Sequence, residues 1–220
     1  MKIIGHRGGT ADQTQQNTLK IIDQAIKDHV EAVEIDVRVS SDMVPLLNHD
    51  THVAYEGQQL LIRTTTFQQL RDLKSDLTSL SDVLESAQGK LKLLIEIKPV
   101  EPVNPIVKEL KRALANGWSA ADIEICSFDF QVLKDIHHAL PQLAVAVSEP
   151  WSGVRAGHRA KILNTKRLIM NQRWLWVGYV RPLANRGYDL TAYTVNNPQR
   201  AYKLARIGVG SIVTDYPTKF

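Results

Sequence analysis

The segments AVEIDV, residues 32–37, and KLLIEI, residues 92–97, decide how this chain is read. Each is a short run of aliphatic and β-branched residues, the composition of a strand buried within a parallel sheet. Side chains alternate along a strand, so Val33, Ile35 and Val37 share one face of the first run while Glu34 and Asp36 share the other. In the second run Leu93, Ile95 and Ile97 face outward, Glu96 joins Leu94 on the inner face, and Lys98 follows at the strand end. Two strands thus deliver three carboxylates and an ammonium group to one side of a sheet.

Working outward, six further runs of the same kind recur: Lys2–Gly5, Glu124–Ser127, Leu143–Val147, Arg167–Met170, Leu190–Val195 and Ser211–Thr214. Most are followed by a helix-like stretch, the alternation of repeated βα units. Leu19, Ile22, Ala25 and Ile26 mark a first helix running to about His29, with Asn17 or Thr18 as its cap. A later helix is expected to begin near Pro105, capped by Asn104, with Ile106, Val107, Leu110 and Leu114 on its inner face. Eight strands predict an α/β protein with a single (β/α)8 TIM-type barrel. An open doubly wound sheet is the alternative, weakened by the lack of a Gly-rich dinucleotide fingerprint after an early strand.

The 220 residues predict one domain, and 44% hydrophobic with 23% charged residues is ordinary globular usage. The 27 Lys and Arg against 23 Asp and Glu leave a formal charge of +4, compatible with an anionic small-molecule substrate and too weak for nucleic-acid binding. Cys126 is the only cysteine, which excludes an internal disulfide and reads as a small buried hydrophobe. There is neither a long apolar leader nor an apolar run of membrane-spanning length, so the expected location is the cytoplasm. Oligomeric state is left open.

A cluster of Glu34, Asp36 and Glu96 inside a barrel is electrostatically unfavourable without a cation. All-oxygen donors favour one hard divalent ion, Mg²⁺ or Ca²⁺, over zinc. Taken singly, a Glu-x-Asp strand is usually a solvated face, and Glu96–Lys98 or Asp36–Arg38 could be plain ion pairs; repetition on a second strand favours the metal reading. His6, after the first strand in HRGG, and His49, in VPLLNHD, are placed to act as a general acid/base pair. Arg7 and Lys98 suit phosphate oxygens, and Gly8 and Gly9 allow close backbone approach. His29, His137 and His138 read as helix-terminal or surface residues.

HRGG at 6–9, VEIDV at 33–37, NHD at 48–50, IEIK at 95–98, SFD at 127–129, YTVN at 193–196 and TDYP at 214–217 together resemble the glycerophosphodiester phosphodiesterase family, in order and over nearly the whole chain. The resemblance implies a TIM-type barrel spanning 1–220, with VPLLNHD extending the second strand as a hairpin and residues 51–75 as a small insertion over the barrel mouth. It implies Glu34, Asp36 and Glu96 as metal ligands, His6 and His49 as acid and base, and Arg7 and Lys98 as phosphate contacts. It also implies attack by a glycerol hydroxyl on phosphorus, a cyclic phosphate, and release of sn-glycerol 3-phosphate and an alcohol. Three positions depart from the pattern: Gln16 stands for the usual Glu, Met43 for a turn glycine, and Tyr193, still expected to wall the substrate pocket, for a tryptophan. The Gln16 change raises the alternative of a catalytically impaired barrel that binds a phosphate ligand. Zinc amidohydrolases share the barrel, but their His-x-His pair is replaced here by His6-Arg7-Gly8. Trp151 to Trp176 matches the family poorly and reads as helix packing or a surface patch.

Overall fold

The computed structural model describes residues 1–220. In chain order its elements are β1 (Lys2–Gly5), α1 (Leu19–Lys27), β2 (Ala32–Val39), β3 (Pro45–Leu47), β4 (His52–Tyr55), β5 (Gln58–Leu61), α2 (Phe67–Leu73), α3 (Leu80–Ala87), β6 (Lys92–Ile97) and α4 (Val103–Ala115). There follow β7 (Ile123–Ser127), α5 (Phe130–Ala139), β8 (Ala144–Ser148), α6 (Gly153–Ile162), β9 (Arg167–Asn171), α7 (Val177–Asn185), β10 (Asp189–Tyr193), α8 (Pro198–Ile207) and β11 (Ser211–Thr214). Eight strands are parallel in the order β1-β11-β10-β9-β8-β7-β6-β2, and β1 pairs again with β2, so the sheet closes into a (β/α)8 barrel. The open doubly wound sheet is thereby excluded.

The strand alternation sets up two apolar layers. Val33, Ile35, Val37, Ile95 and Ile97 face the helices and belong to the large outer core. Ile4, Leu94, Cys126, Ala146, Ile169 and Val213 form a smaller plug inside the barrel, with the acidic side chains above it at the strands' carboxyl ends. Each fully buried aliphatic side chain contributes about 1.5–3 kcal/mol, so these layers fix the strands before any polar contact is counted. The barrel-shaped arrangement in turn fixes where Glu34, Asp36 and Glu96 point.

Between β2 and β6 the chain leaves the βα repeat. β3 turns back antiparallel to β2, pairing Val37 with Leu47, and β4 and β5 form a separate hairpin. Leu46, Val53, Ile62, Leu70 and Leu77 bury one another under this segment. Both following helices start with reciprocal capping boxes, Thr66 with Gln69 and Ser79 with Asp82.

Element ends differ from the sequence reading in specific ways. α1 stops at Lys27, because Asp28 closes it and His29 takes a left-handed φ of 56°. Thr18 occupies the cap position of α1, but its hydroxyl donates to the Gln15 carbonyl, while Asn17 is drawn away to Asp36. α4 starts at Val103 after Pro102 and has no side-chain cap, so Asn104 and Pro105 lie within its first turn. No helix is long and apolar enough to cross a membrane.

Candidate active site

The turn after β1 is built by backbone conformations that few residues adopt. Arg7, Gly8 and Gly9 all have positive φ (49°, 98° and 95°). A Cβ on Gly8 would stand 2.4 Å from Ile21 Cγ2, and one on Gly9 would stand 2.7 Å from Pro217 Cγ. The two glycines are therefore required, and they bring the Arg7 amide to Glu34, where it donates to Oε2 at 2.9 Å.

The carboxylates of Glu34, Asp36 and Glu96 offer oxygens that all lie within 4.8 Å of one another. Two cations enter the cluster. Lys98 Nζ lies 2.6 Å from Asp36 Oδ1 and 2.5 Å from Glu96 Oε1, and Arg7 Nε lies 3.1 Å from Asp36 Oδ2. The Arg7 contact is an ion pair without an aligned hydrogen bond, since its buried Nε has no hydrogen-bond partner. Asn17 completes the setting of Asp36: its Nδ2 donates to Oδ2 at 2.8 Å and its Oδ1 accepts the Asp36 amide at 3.1 Å.

These contacts divide the three acids. Burial alone would raise the Asp36 pKa, but Lys98 and Arg7 outweigh it and the carboxyl sits below its ordinary value. Glu34 is pushed well above its ordinary value, first by burial and then by repulsion from Asp36 and Glu96. Glu96 is raised by burial against the pull of Lys98, and Lys98 itself is raised because Asp36 and Glu96 outweigh its burial. The Glu96–Lys98 ion pair weighed from sequence is thus present, yet it leaves Glu34 with one backbone N–H as its only hydrogen-bond donor. Three buried acids face two cations, and hard oxygen donors with a charge deficit at Glu34 fit one divalent ion.

Both histidines are held through Nδ1 by an aspartate. His6 Nδ1 is 2.6 Å from Asp215 Oδ1, and Asp215 Oδ2 in turn accepts from Asn196 Nδ2 at 2.6 Å. His49 Nδ1 is 2.7 Å from Asp50 Oδ1, and its carbonyl accepts from both Nε and Nη2 of Arg38. Arg38 pairs with Glu101 rather than Asp36, so it ties the His49 loop to the loop after β6. Burial and the Lys98 charge hold the His49 pKa below its ordinary value. The Asp215 carboxyl lies below its own, because hydrogen bonds from His6 and Asn196 outweigh its burial.

Two adjoining cavities open here. A small one of about 40 Å³ is lined by His6, Glu34, Glu96, Phe128 and Tyr193, among others. A wider, more open one of about 620 Å³ is lined by His49, Glu96, Lys98, Phe128 and residues of the β4–β5 hairpin. Tyr193 meets Phe128 edge-on at 6.1 Å, and its hydroxyl pKa is pushed up to about 12, by burial first and then by Glu96 and Glu149. Gln16 accepts from Arg7 Nη1 at 2.9 Å and donates to the Thr10 carbonyl, so the departure from the usual Glu still orients the guanidinium.

All eight residues singled out from sequence line this one end of the barrel or pair with residues that do. Asn17, Arg38, Asn196 and Asp215 were missed as functional. Asn196 and Asp215 fall in YTVN and TDYP at the ends of β10 and β11, and that position was the signal available; Asn17, just before α1, carried only the signal of a helix cap.

A parallel barrel with acids, cations and two oriented imidazoles at its carboxyl-end mouth is a hydrolase of small anionic substrates. The glycerophosphoryl diester phosphodiesterase family model matches residues 6–219, and the chain belongs to that family. It is accordingly a phosphoric diester hydrolase acting on glycerophosphodiesters. YhdW of Bacillus subtilis, named as a candidate glycerophosphodiester phosphodiesterase, is 27% identical over 99% of this chain and 95% of its own. Glycerophosphodiester phosphodiesterase 1 of Rattus norvegicus is 43% identical over 72 residues, which is 32% of this chain and 21% of its own. An Oleispira antarctica phosphodiesterase, solved with the product sn-glycerol-3-phosphate, superimposes with a TM-score of 0.87 at 24% identity, covering 100% of this chain and 94% of that one. A Thermotoga maritima glycerophosphodiester phosphodiesterase gives 0.80 at 22% identity over 99% and 96% of the two chains. These two structures share the fold.

Proposed function

We propose that this chain cleaves glycerophosphodiesters to sn-glycerol 3-phosphate and an alcohol through a cyclic phosphate, with His49 as general base and His6 as general acid. The observation that carries the proposal is the convergence of Glu34, Asp36 and Glu96 within 4.8 Å beside Arg7, Lys98 and two aspartate-held histidines. Glu34, Asp36 and Glu96 would hold one Mg²⁺ or Ca²⁺ ion, which when bound offsets the charge of the phosphate and orients it. Arg7 and Lys98 contact the phosphate oxygens, Arg7 through the guanidinium face left open by Gln16 and Asp36.

Burial and Lys98 hold the His49 pKa below its ordinary value, which favours the neutral imidazole that a base requires. Its Nε2 takes the proton from a glycerol hydroxyl as that oxygen bonds to phosphorus. Asp215 fixes His6 with Nδ1 toward the carboxylate, which leaves Nε2 to hand a proton to the departing alcohol oxygen. Water then opens the cyclic ester with the same groups in reversed roles, consistent with microscopic reversibility. Tyr193 and Phe128 form an apolar wall for the substrate. The whole chain forms one domain on this reading, and residues 51–75 cover the mouth; hairpin residues His52, Ala54 and Gln59 lining the cavity of Glu96 and Lys98 support that placement.

The test is a panel of glycerophosphodiesters assayed with chelator, Mg²⁺, Ca²⁺ and Mn²⁺ in parallel. Expected is release of sn-glycerol 3-phosphate that chelator abolishes and one of the ions restores, with the cyclic phosphate trapped at early times. Turnover indifferent to chelator, or absent with every ion, overturns the proposal.

A further inference from the structure

Three of the chain's four tryptophans lie on the surface, and all three lie in two neighbouring loops at the barrel mouth. Trp151, between β8 and α6, is 70% exposed; Trp174 and Trp176, between β9 and α7, are 51% and 64% exposed. The fourth, Trp118, shows the ordinary fate of an indole: it is buried, and its N–H donates to the Leu84 carbonyl. The exposed three have no such partner. Trp151 and Trp174 have ring centroids 6.5 Å apart, and Val154 and Val177, in the first turns of α6 and α7, extend the apolar patch. The Trp176 ring lies against backbone, since a Cβ on Gly178 would stand 2.0 Å from its Cζ3.

The charge around this patch is one-sided. From Pro150 to Tyr188 there is no Asp or Glu and there are eight Lys and Arg, of which Lys166 and Arg167, beside Asp189 at the far end of the barrel, do not belong to the mouth. Arg155 and Arg159 are taken by Glu149, which leaves Arg173 and Arg181 as the patch's own charge. Glu149, which precedes it, is buried and held by Arg155, and Asp189, which follows, begins β10 at the opposite end of the barrel. Arg173 and Arg181 are exposed and engaged in no ion pair.

Indoles prefer the boundary between water and hydrocarbon, and unpaired arginines are attracted to anionic headgroups. A wet, cationic patch rich in tryptophan fits a lipid surface better than a protein core or a neutral ligand. We infer that the β8–α6 and β9–α7 loops dock this protein, mouth first, on an anionic phospholipid bilayer. This goes beyond the reaction proposed above, and none of its residues belongs to the machinery assigned there.

The experiment is co-sedimentation of the full chain with phosphatidylcholine vesicles prepared with and without phosphatidylglycerol, followed also by tryptophan emission. Expected is binding only where phosphatidylglycerol is present, a blue-shifted emission, and release as salt rises. The triple variant W151A/W174A/W176A and the double variant R173E/R181E should each weaken vesicle binding roughly tenfold or more. Both should keep wild-type turnover of water-dissolved glycerophosphocholine, which also reports folding. No vesicle binding, equal binding to both vesicle types, or a triple variant that binds like wild type overturns the inference. So does a concentration-dependent dimer in analytical ultracentrifugation that the triple variant loses, because the patch would then be a contact between copies. If wild type binds vesicles but turns over no glycerophosphodiester, the catalytic reading fails while the docking surface stands.

Discussion

The two sides of the barrel mouth are built from the same βα repeat and hold opposite contents. On the side of β1, β2 and β6 the strand ends carry Glu34, Asp36, Glu96 and Lys98, with Lys98 bridging Asp36 and Glu96 and Glu34 accepting only the Arg7 amide. On the side of β7 to β10 the inward positions are Cys126, Ser148, Ile169 and Tyr193, neutral groups that wall the small cavity. Cys126 belongs to this inert wall, with burial and then Glu96 and Glu34 pushing its thiol pKa well up. The difference teaches that the repeat supplies positions and the strand-end residues supply chemistry, so reactive groups concentrate where like charges can share cations.

The strongest way to break this division is to empty the charged side. Glu34→Ala or Asp36→Ala should lower kcat/KM for glycerophosphocholine by about 10³-fold or more with the fold intact by circular dichroism. Near-normal rates in either variant would mean that the cluster is an ion-pair network only. Asp215→Asn should lower kcat by roughly 10²-fold with little change in KM, because the substrate still binds but His6 loses its orientation. A change confined to KM would instead place Asp215 in substrate binding.

A thermodynamic prediction sharpens the contrast between Glu34 and Asp36. The folded-state pKa of Glu34 is raised, so the native protein holds the proton more tightly than the unfolded chain. Its contribution is fully favourable below the ordinary carboxylate range and is lost as pH rises through the raised value. In metal-free protein Glu34→Gln should therefore raise the melting temperature at neutral pH and leave it unchanged in acid. Metal affinity of the wild type should climb with pH over the same interval, as calorimetry in several buffers would show through proton release. A neutral-pH melting temperature that falls in Glu34→Gln would refute the assignment of strain to this carboxyl. The smallest effect belongs to the neutral wall: Tyr193→Phe should change kcat less than about threefold, since a hydroxyl whose pKa is pushed up to about 12 is a poor general acid.

How much of this was readable in advance follows the range of each interaction. Alternation along β2 and β6 is local, and it placed Glu34, Asp36 and Glu96 on the inner face as the structure has them. Within HRGG the glycines were legible as places of close backbone approach, and the structure adds their positive φ as a second reason for glycine at Gly8 and Gly9. Asn17 was read as a helix cap because the local competitor, the open end of α1, was visible and the distant one, Asp36, was not. Asp215 stayed without a role because its partner His6 is brought to it only by ring closure through β1 and β11, and Asn196 because it reaches the site only through Asp215. The exposed tryptophans had no periodic signature, so packing and surface readings were equivalent until burial separated Trp118 from the other three.

The bond between His6 and Asp215 joins residues 209 positions apart. The contact forms only where β1 and β11 pair side by side, so the imidazole is steered by the strand that closes the ring. On the proposed mechanism a lesion at the β1–β11 seam would act on turnover through His6, while β2 and β6, which carry the acidic cluster, pair with each other independently of that seam.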